Sequence, residues 1–307
     1  MESDRVVIET AGLTKRYDDV EALRGLDLRV PSGSIFGFLG RNGAGKTTTL
    51  KVLLGMARPT SGDARVFGLP SHDPQAGVEI RRRVAFVSED KDLYDYMTVG
   101  EMIAFTRPFF PGWRTDLEQR YLTKFELPSG RAIKEFSRGT RTKLALLLAL
   151  ARGAELLILD EPTSGLDPAV AEDVLQSLVG HVAGESATVF FSSHQLSEVE
   201  QVADHVAIID RGVTVVAGPL DDLRAHYQRI QLVFDGDAPD IRVHAAGTHR
   251  VERKGRVLTV LTSSGAAVAD ELRGYRPASI DVTAVTLKDI FLESVRPTEG
   301  AGTGRKN

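Results

Sequence analysis

Gly40-Arg41-Asn42-Gly43-Ala44-Gly45-Lys46-Thr47-Thr48 decides how the rest of this 307-residue chain is read. It fits the phosphate-binding pattern G-x-x-x-x-G-K-[ST]. Ser34 to Leu39, just before it, is an apolar run of buried-strand character. Thr47 to Ala57, just after it, carries helix formers with Leu50, Leu53 and Leu54 on one face. A loop between strand and helix is the setting the pattern needs. Gly40, Gly43 and Gly45 let successive N–H groups turn toward phosphate oxygens, and the helix adds its positive end. Lys46 is placed to reach the β- and γ-phosphates, and the Thr47 hydroxyl to ligate Mg²⁺. A glycine-rich turn with an accidental lysine is the alternative, and the agreement of strand, loop and helix argues against it.

Bulk properties narrow the function class. The net charge of −4 argues against a nucleic-acid surface, and the absence of cysteine excludes disulfides and cysteine-held metals. Met1 to Asp4 is acidic, without the apolar core of a signal segment. Leu144 to Ala151, the most apolar run, is far shorter than the ~20 residues that span a bilayer. Any role at a membrane is therefore expected to come through a partner.

Along the chain, Arg5 to Thr10, Val20 to Leu23 and Leu26 to Val30 read as short extended pieces. Tyr17 could stack on an adenine ring, and a half-buried strand tyrosine fits its spacing equally well. Ala64 to Phe67 and Val84 to Val87 read as strands. Glu89 and Asp90 follow the second, either as ligand-facing acids or as solvated loop acids. Thr98-Val99-Gly100-Glu101 is a capping box, and residues from about 95 to 150 read as helical. Leu156 to Leu159 is an apolar strand ending in Asp160 and Glu161. In phosphate-loop enzymes the first such acid holds the Mg²⁺ shell, and the second is placed to take a proton from water. Pro168 opens a helix. Thr188 to Phe191 is a strand running into His194, which is either structural or a γ-phosphate contact. Val206 to Ile209 closes the core. Beyond Arg229, Ile230 to Phe234, Ile241 to His244 and Val257 to Leu261 read as strands, with helices at Ala266 to Arg273 and Thr286 to Val295.

Together these pieces resemble the ATP-binding subunits of ABC transporters, from roughly Val6 to Leu223. The discriminating piece is Phe136-Ser137-Arg138-Gly139-Thr140. It stands where that family has Leu-Ser-Gly-Gly-Gln, with Arg138 and Thr140 as departures. The resemblance implies an α/β fold: a P-loop NTPase core with an antiparallel β subdomain, an inserted helical subdomain and a small C-terminal α+β domain. The expected divisions are 1–223 for the ATPase, 229–295 for the accessory domain and 296–307 for a disordered tail. It further implies a head-to-tail dimer, expected to be of two like subunits, around two ATPs with Mg²⁺. Tyr17 would stack on adenine, and Gly40 through Thr48 would wrap the phosphates. Ser137, Arg138 and Gly139 would face the partner's γ-phosphate. Thr47, Glu89 and Asp160 would attend the metal, Glu161 would be the base, His194 the γ-phosphate switch and Asp167 a dimer-contact acid. Glu89 replaces the Gln usual in the family, and its charge bears on coupling to the membrane subunit.

The expected activity is ATP hydrolysis that powers export through a separate transmembrane permease chain. The expected location is the cytoplasmic face of the membrane. Phe109 to Trp113 and the stretch ending Leu287 to Glu293 look like the drug- and antibiotic-exporter branch. The competing reading is a soluble ATPase of the same type acting on a ribosome or other non-membrane partner. Ribosome-acting relatives usually carry two cassettes, and this chain has a single phosphate loop. Phe105, Phe109, Phe110 and Trp113 form either the helical region's own core or a docking surface. Pro111 and Gly112 favour the second, with Phe110 or Trp113 in a groove beside Glu89.

Overall fold

The structure, a computed structural model, describes residues 5–295. The tail expected to be disordered, 296–307, lies outside the described residues. The chain divides into two compact units, and the break falls between Pro219 and Leu220.

The strands of the first unit are β1 (Val6–Tyr17), β2 (Val20–Pro31), β3 (Ile35–Gly40), β4 (Ser61–Val66), β5 (Leu69–Pro70), β6 (Val84–Val87), β7 (Leu156–Leu159), β8 (Thr188–Ser193), β9 (His205–Asp210) and β10 (Val213–Pro219). Its helices are α1 (Lys46–Leu53), α2 (Pro74–Arg83), α3 (Val99–Thr106), α4 (Thr115–Lys124), α5 (Arg138–Leu150), α6 (Pro168–Glu185) and α7 (Leu196–Val202).

One sheet runs β10-β9-β3-β8-β7-β6. Its strands β9, β3, β8, β7 and β6 are parallel, and β10 returns antiparallel. Every residue of β3, β7 and β8 is buried. That is why these strands read as unbroken apolar runs rather than alternating ones. Parallel order brings the C-terminal ends of β3, β6, β7 and β8 to one edge. Ligands bind at that edge in sheets of this kind.

The other sheet is antiparallel, in the order β2-β1-β4-β5. Here the extended pieces expected from sequence are two twelve-residue strands, carried past their irregular points by register shifts around Leu13. Asp27 accepts from the Gly12 N–H at 2.7 Å, so the displaced backbone keeps a partner. Gly62 lies so close to β1 that a Cβ there would stand 2.2 Å from the Gly12 carbonyl oxygen. Val7, Leu26, Phe36, Leu53, Val66 and Ile158 belong to one buried cluster that unites the two sheets with α1.

Between β6 and β7 lie α3, α4 and α5, the inserted helical region. The capping box on α3 is present, with Thr98 and Glu101 exchanging bonds. Ser137 caps α5 and accepts from the Thr140 N–H at 3.2 Å. Sequence reading passed over α2, although its signal is local: Asp73 caps it and Pro74 holds the first position.

The second unit holds α8 (Leu220–His226), β11 (Gln228–Val233), β12 (Thr248–Lys254), β13 (Val257–Thr262), α9 (Gly265–Arg273), β14 (Ser279–Ala284) and α10 (Leu287–Ser294). Its sheet, β12-β13-β11-β14, is antiparallel, and Ile230, Leu232, Val260, Val268 and Leu272 form its core. The strand expected at Ile241 to His244 does not form. The Glu271 carboxylate takes the His244 and Ala245 N–H groups at 2.9 and 2.8 Å, so these two donors are bound to a side chain instead of a strand. Among the described residues, no helix is long and apolar enough to cross a membrane.

His181 of α6 is buried beside Tyr121 of α4, and its Nδ1 has no hydrogen-bond partner. Burial pulls its pKa from 6.5 down to about 4. The unfolded chain therefore binds a proton that the folded chain refuses. The neutral histidine's contribution is intact above pH 6.5 and is lost as pH falls toward 4, by up to about 1.4 kcal/mol per pH unit. His181→Leu should flatten the fall in stability over that window, read from denaturant midpoints at pH 7, 5.5 and 4.5. Parallel curves for the two proteins would show that His181 does not drive the acid sensitivity.

Candidate functional site

At the C-terminal edge of the parallel sheet lies a cavity of about 810 Å³. Arg41, Asn42, Gly43, Gly45, Lys46, Thr47 and Thr48 line it from the phosphate loop, and Glu89, Glu161 and His194 from the loops after β6, β7 and β8. Four chain segments far apart in sequence thus meet at one place because their strands are neighbours.

The loop is shaped by its glycines. Gly45 has φ +111, and a Cβ there would lie 2.8 Å from the Ala22 carbonyl oxygen. As the N-cap of α1 it offers no side chain to the helix, and the first turn carries no acid. The leading amides of α1 therefore keep their donors and an uncompensated positive end. Gly40 and Ala44 act from behind: the Gly40 carbonyl accepts from Lys46 Nζ at 2.8 Å, and the Ala44 N–H closes the turn onto Arg41.

Glu161 is the hub. Its carboxylate meets Lys46 Nζ at 3.1 Å and His194 Nδ1 at 2.8 Å. Lys46 and Glu161 are both buried, whereas the His194 side chain is 44% exposed. The Glu161 backbone has φ 47, in the left-handed region, which costs any residue with a Cβ energy unless neighbours hold it. They do. The Ser192 hydroxyl accepts from the Glu161 N–H at 2.9 Å and donates to Asp160 Oδ1 at 2.6 Å. Lys91 Nζ donates to the Glu161 carbonyl at 3.3 Å. Behind them the Glu198 carboxylate accepts from Thr163 at 2.5 Å and Ser193 at 3.4 Å, and burial raises its pKa. The Lys91 pKa is lowered, mainly by burial and then by the nearby Arg138.

Other expected residues lie elsewhere. Asp160 is buried, does not line the cavity, and accepts from the Ser192 hydroxyl that also takes the Glu161 N–H. Tyr17 is 42% exposed with Lys15 over its ring at 4.5 Å, and it does not line the cavity; its strand partner Val20 does. Ser137, Arg138, Gly139 and Asp167 form a separate surface where α5 and α6 begin. Gly139 packs on Val170, and the Arg138 guanidinium lies against Gly165. Arg24 and Arg211 line the cavity and were not expected from sequence. Both come from the edges of other strands, and nothing local marks them.

Among the described residues, no group of three or more His, Asp or Glu side chains is arranged to hold a metal ion. A Mg²⁺ here would draw ligands from phosphate oxygens as well as from protein. The hydroxyl and carboxylate donors present suit a hard cation.

A second, apolar groove of about 420 Å³ lies beside the Glu89 loop, lined by Met56, Phe86, Leu93, Met102, Phe110 and Leu148 among others. Phe110 meets the expectation of a groove-lining aromatic. Trp113 does not: it is half-buried, and its indole N–H donates to Glu118 at 2.7 Å. Glu118 is itself buried and bound to Arg107. Phe105 and Phe109 stay exposed and continue a chain of ring contacts from Tyr96 and Tyr94.

The ABC transporter family profile matches residues 23–164. The bacitracin transport ATP-binding protein BcrA of Bacillus licheniformis is 32% identical over 94% of this chain and 95% of its own length. The daunorubicin/doxorubicin resistance ATP-binding protein DrrA of Streptomyces peucetius is 35% identical over 71% of this chain and 67% of its own. A solved ATP-binding subunit of an ABC transporter superposes with a TM-score of 0.64 and 28% identity, over 71% of this chain and 92% of that one. Identity of this order, sustained over nearly the full length of a relative, means that the chain belongs to the family of ABC transporter ATP-binding proteins, ATPases that power transport through a membrane partner.

Proposed function

We propose that this chain is the Mg²⁺–ATP-hydrolysing subunit of an exporter built from separate chains, with an antibiotic-like substrate. The observation that carries the reading is the placement of Glu161, its carboxylate between Lys46 and His194 at the rim of the phosphate loop. The loop amides and Lys46 bind phosphate. Thr47 and Glu89, which line the cavity, would hold Mg²⁺, with Asp160 set back behind Ser192, and the ion would neutralise phosphate charge. Glu161 takes the proton of the attacking water, and His194 orients that carboxylate. The antibiotic class is supported by the printed names of the bacitracin and daunorubicin relatives.

Two like subunits would meet head to tail, each supplying Ser137 and Gly139 to the other's nucleotide. The start of α5 supports this, because Ser137 caps it and neither Ser137 nor Gly139 lines the cavity of its own phosphate loop. The apolar groove beside the Glu89 loop is the docking place for a segment of the membrane permease, and the exposed rings of Tyr94, Phe105 and Phe109 extend the same contact surface. That reading places the subunit at the cytoplasmic face of the membrane. It also favours a membrane partner over a ribosome, since the groove is apolar and the chain is acidic.

Glu161→Gln should retain ATP binding and lose about 10²–10⁴-fold in steady-state hydrolysis, with a nucleotide-dependent dimer trapped on size exclusion. Turnover near the wild-type rate would remove Glu161 from the role of base. A mixture of Lys46→Ala and Ser137→Ala chains should hydrolyse faster than either alone, since a mixed dimer concentrates both lesions in one site and leaves the other whole. Absence of recovery at every mixing ratio would count against action across the interface.

A further inference from the structure

Two cations line the apolar groove, and among the described residues neither forms an ion pair. Lys91 lines the groove and also a cleft shared with Glu89, Asp90, Arg138 and Arg141. Lys91 is only 4% exposed. Its ammonium makes one hydrogen bond, to the Glu161 carbonyl, and an ammonium has three N–H donors. Among the described residues Lys91 forms no ion pair, and Glu89, Asp160 and Asp90 act on its charge only from beyond contact.

Arg152 lines the same groove. Its guanidinium lies 3.8 Å over the Phe110 ring, and one nitrogen donates to the Arg81 carbonyl at 2.8 Å. Its Nε is buried without a partner. Asp92 is the acid among the lining residues; it is exposed and pairs with neither cation. A groove built for apolar contact alone would not place at position 91 a buried ammonium with one hydrogen bond and no carboxylate in contact, because such a charge is costly.

We propose that the segment of the membrane partner seated in this groove carries an aspartate or glutamate whose carboxylate pairs with Lys91, with Arg152 as the second cation beside it. This rests on the docking reading above. Lys91 is then shared between a partner's carboxylate and the carbonyl of Glu161, and seating of the partner is felt at the backbone of the residue assigned as base.

The test uses the chain co-purified with its membrane partner. A water-soluble carbodiimide condenses an amine with a touching carboxylate, and mass spectrometry identifies the joined peptides. The expected product links Lys91 to an acid of the membrane chain. Lys91→Met should abolish that link and weaken assembly by about 10-fold or more, and Lys91→Arg should restore assembly. Arg152→Met should weaken assembly by less and leave the ATPase rate of the isolated chain unchanged. Phe110→Asp separates the two ideas. Undiminished assembly of Phe110→Asp would overturn the docking reading itself. Assembly lost in Phe110→Asp but kept in Lys91→Met would overturn the carboxylate alone. Lys91 crosslinks confined to Asp90 or Asp92 of this chain would overturn it too.

Discussion

Much of the first unit serves one constraint: a buried carboxylate, Glu161, must stand between two nitrogen groups at the rim of an anion-binding loop. A glutamate with a left-handed backbone will not stay there unaided. Ser192 holds its N–H, Lys91 holds its carbonyl, and Lys46 and His194 hold its side chain. They arrive from three strand ends, Lys46 after β3, Lys91 after β6, and Ser192 with His194 at the end of β8, around a Glu161 that itself follows β7. The parallel sheet therefore does more than fill a core: it sets four loops side by side at the spacing hydrogen bonds require. Glu198 extends the same logic one layer back, bracing Thr163 and Ser193 on either side of the acid.

The parts legible in the sequence were those whose chemistry is local. Glycine spacing, the lysine and the threonine of the phosphate loop lie within nine residues, and each needs only its own neighbours to be recognised. The apolar strand before Asp160, the capping box at Thr98 and the Ser137 cap are of the same kind. Arg24 and Arg211 were not legible, because β2 and the β9–β10 turn reach the cavity only through sheet order. Ile241 to His244 had the period of a strand, but the Glu271 carboxylate takes the N–H of His244 at its end and that of Ala245 just after. The lone tryptophan misled in the same way. A carboxylate five residues away, Glu118, takes the indole N–H and holds it out of the groove. The Asp73-Pro74 start of α2 was legible by rule and was passed over.

Glu118 also shows how the helical region holds itself together. It joins Arg107, after α3, to Trp113, before α4. Arg114 ties the start of α4 to Glu185 at the end of α6. Buried or half-buried charge pairs fix orientation more than they add stability, and orientation is what a region with few strands of its own lacks.

The whole helical region is threaded between β6 and β7, and β6 is the outermost strand of its sheet. An insertion at a margin has one neighbour rather than two. Its walls can be rebuilt by substitution, or lengthened, without opening the centre of the sheet where the phosphate loop is rooted. Within such a lineage, most of the wall that meets a membrane partner can change without touching the hydrolytic apparatus, and Lys91, which belongs to both, is the point where the two meet.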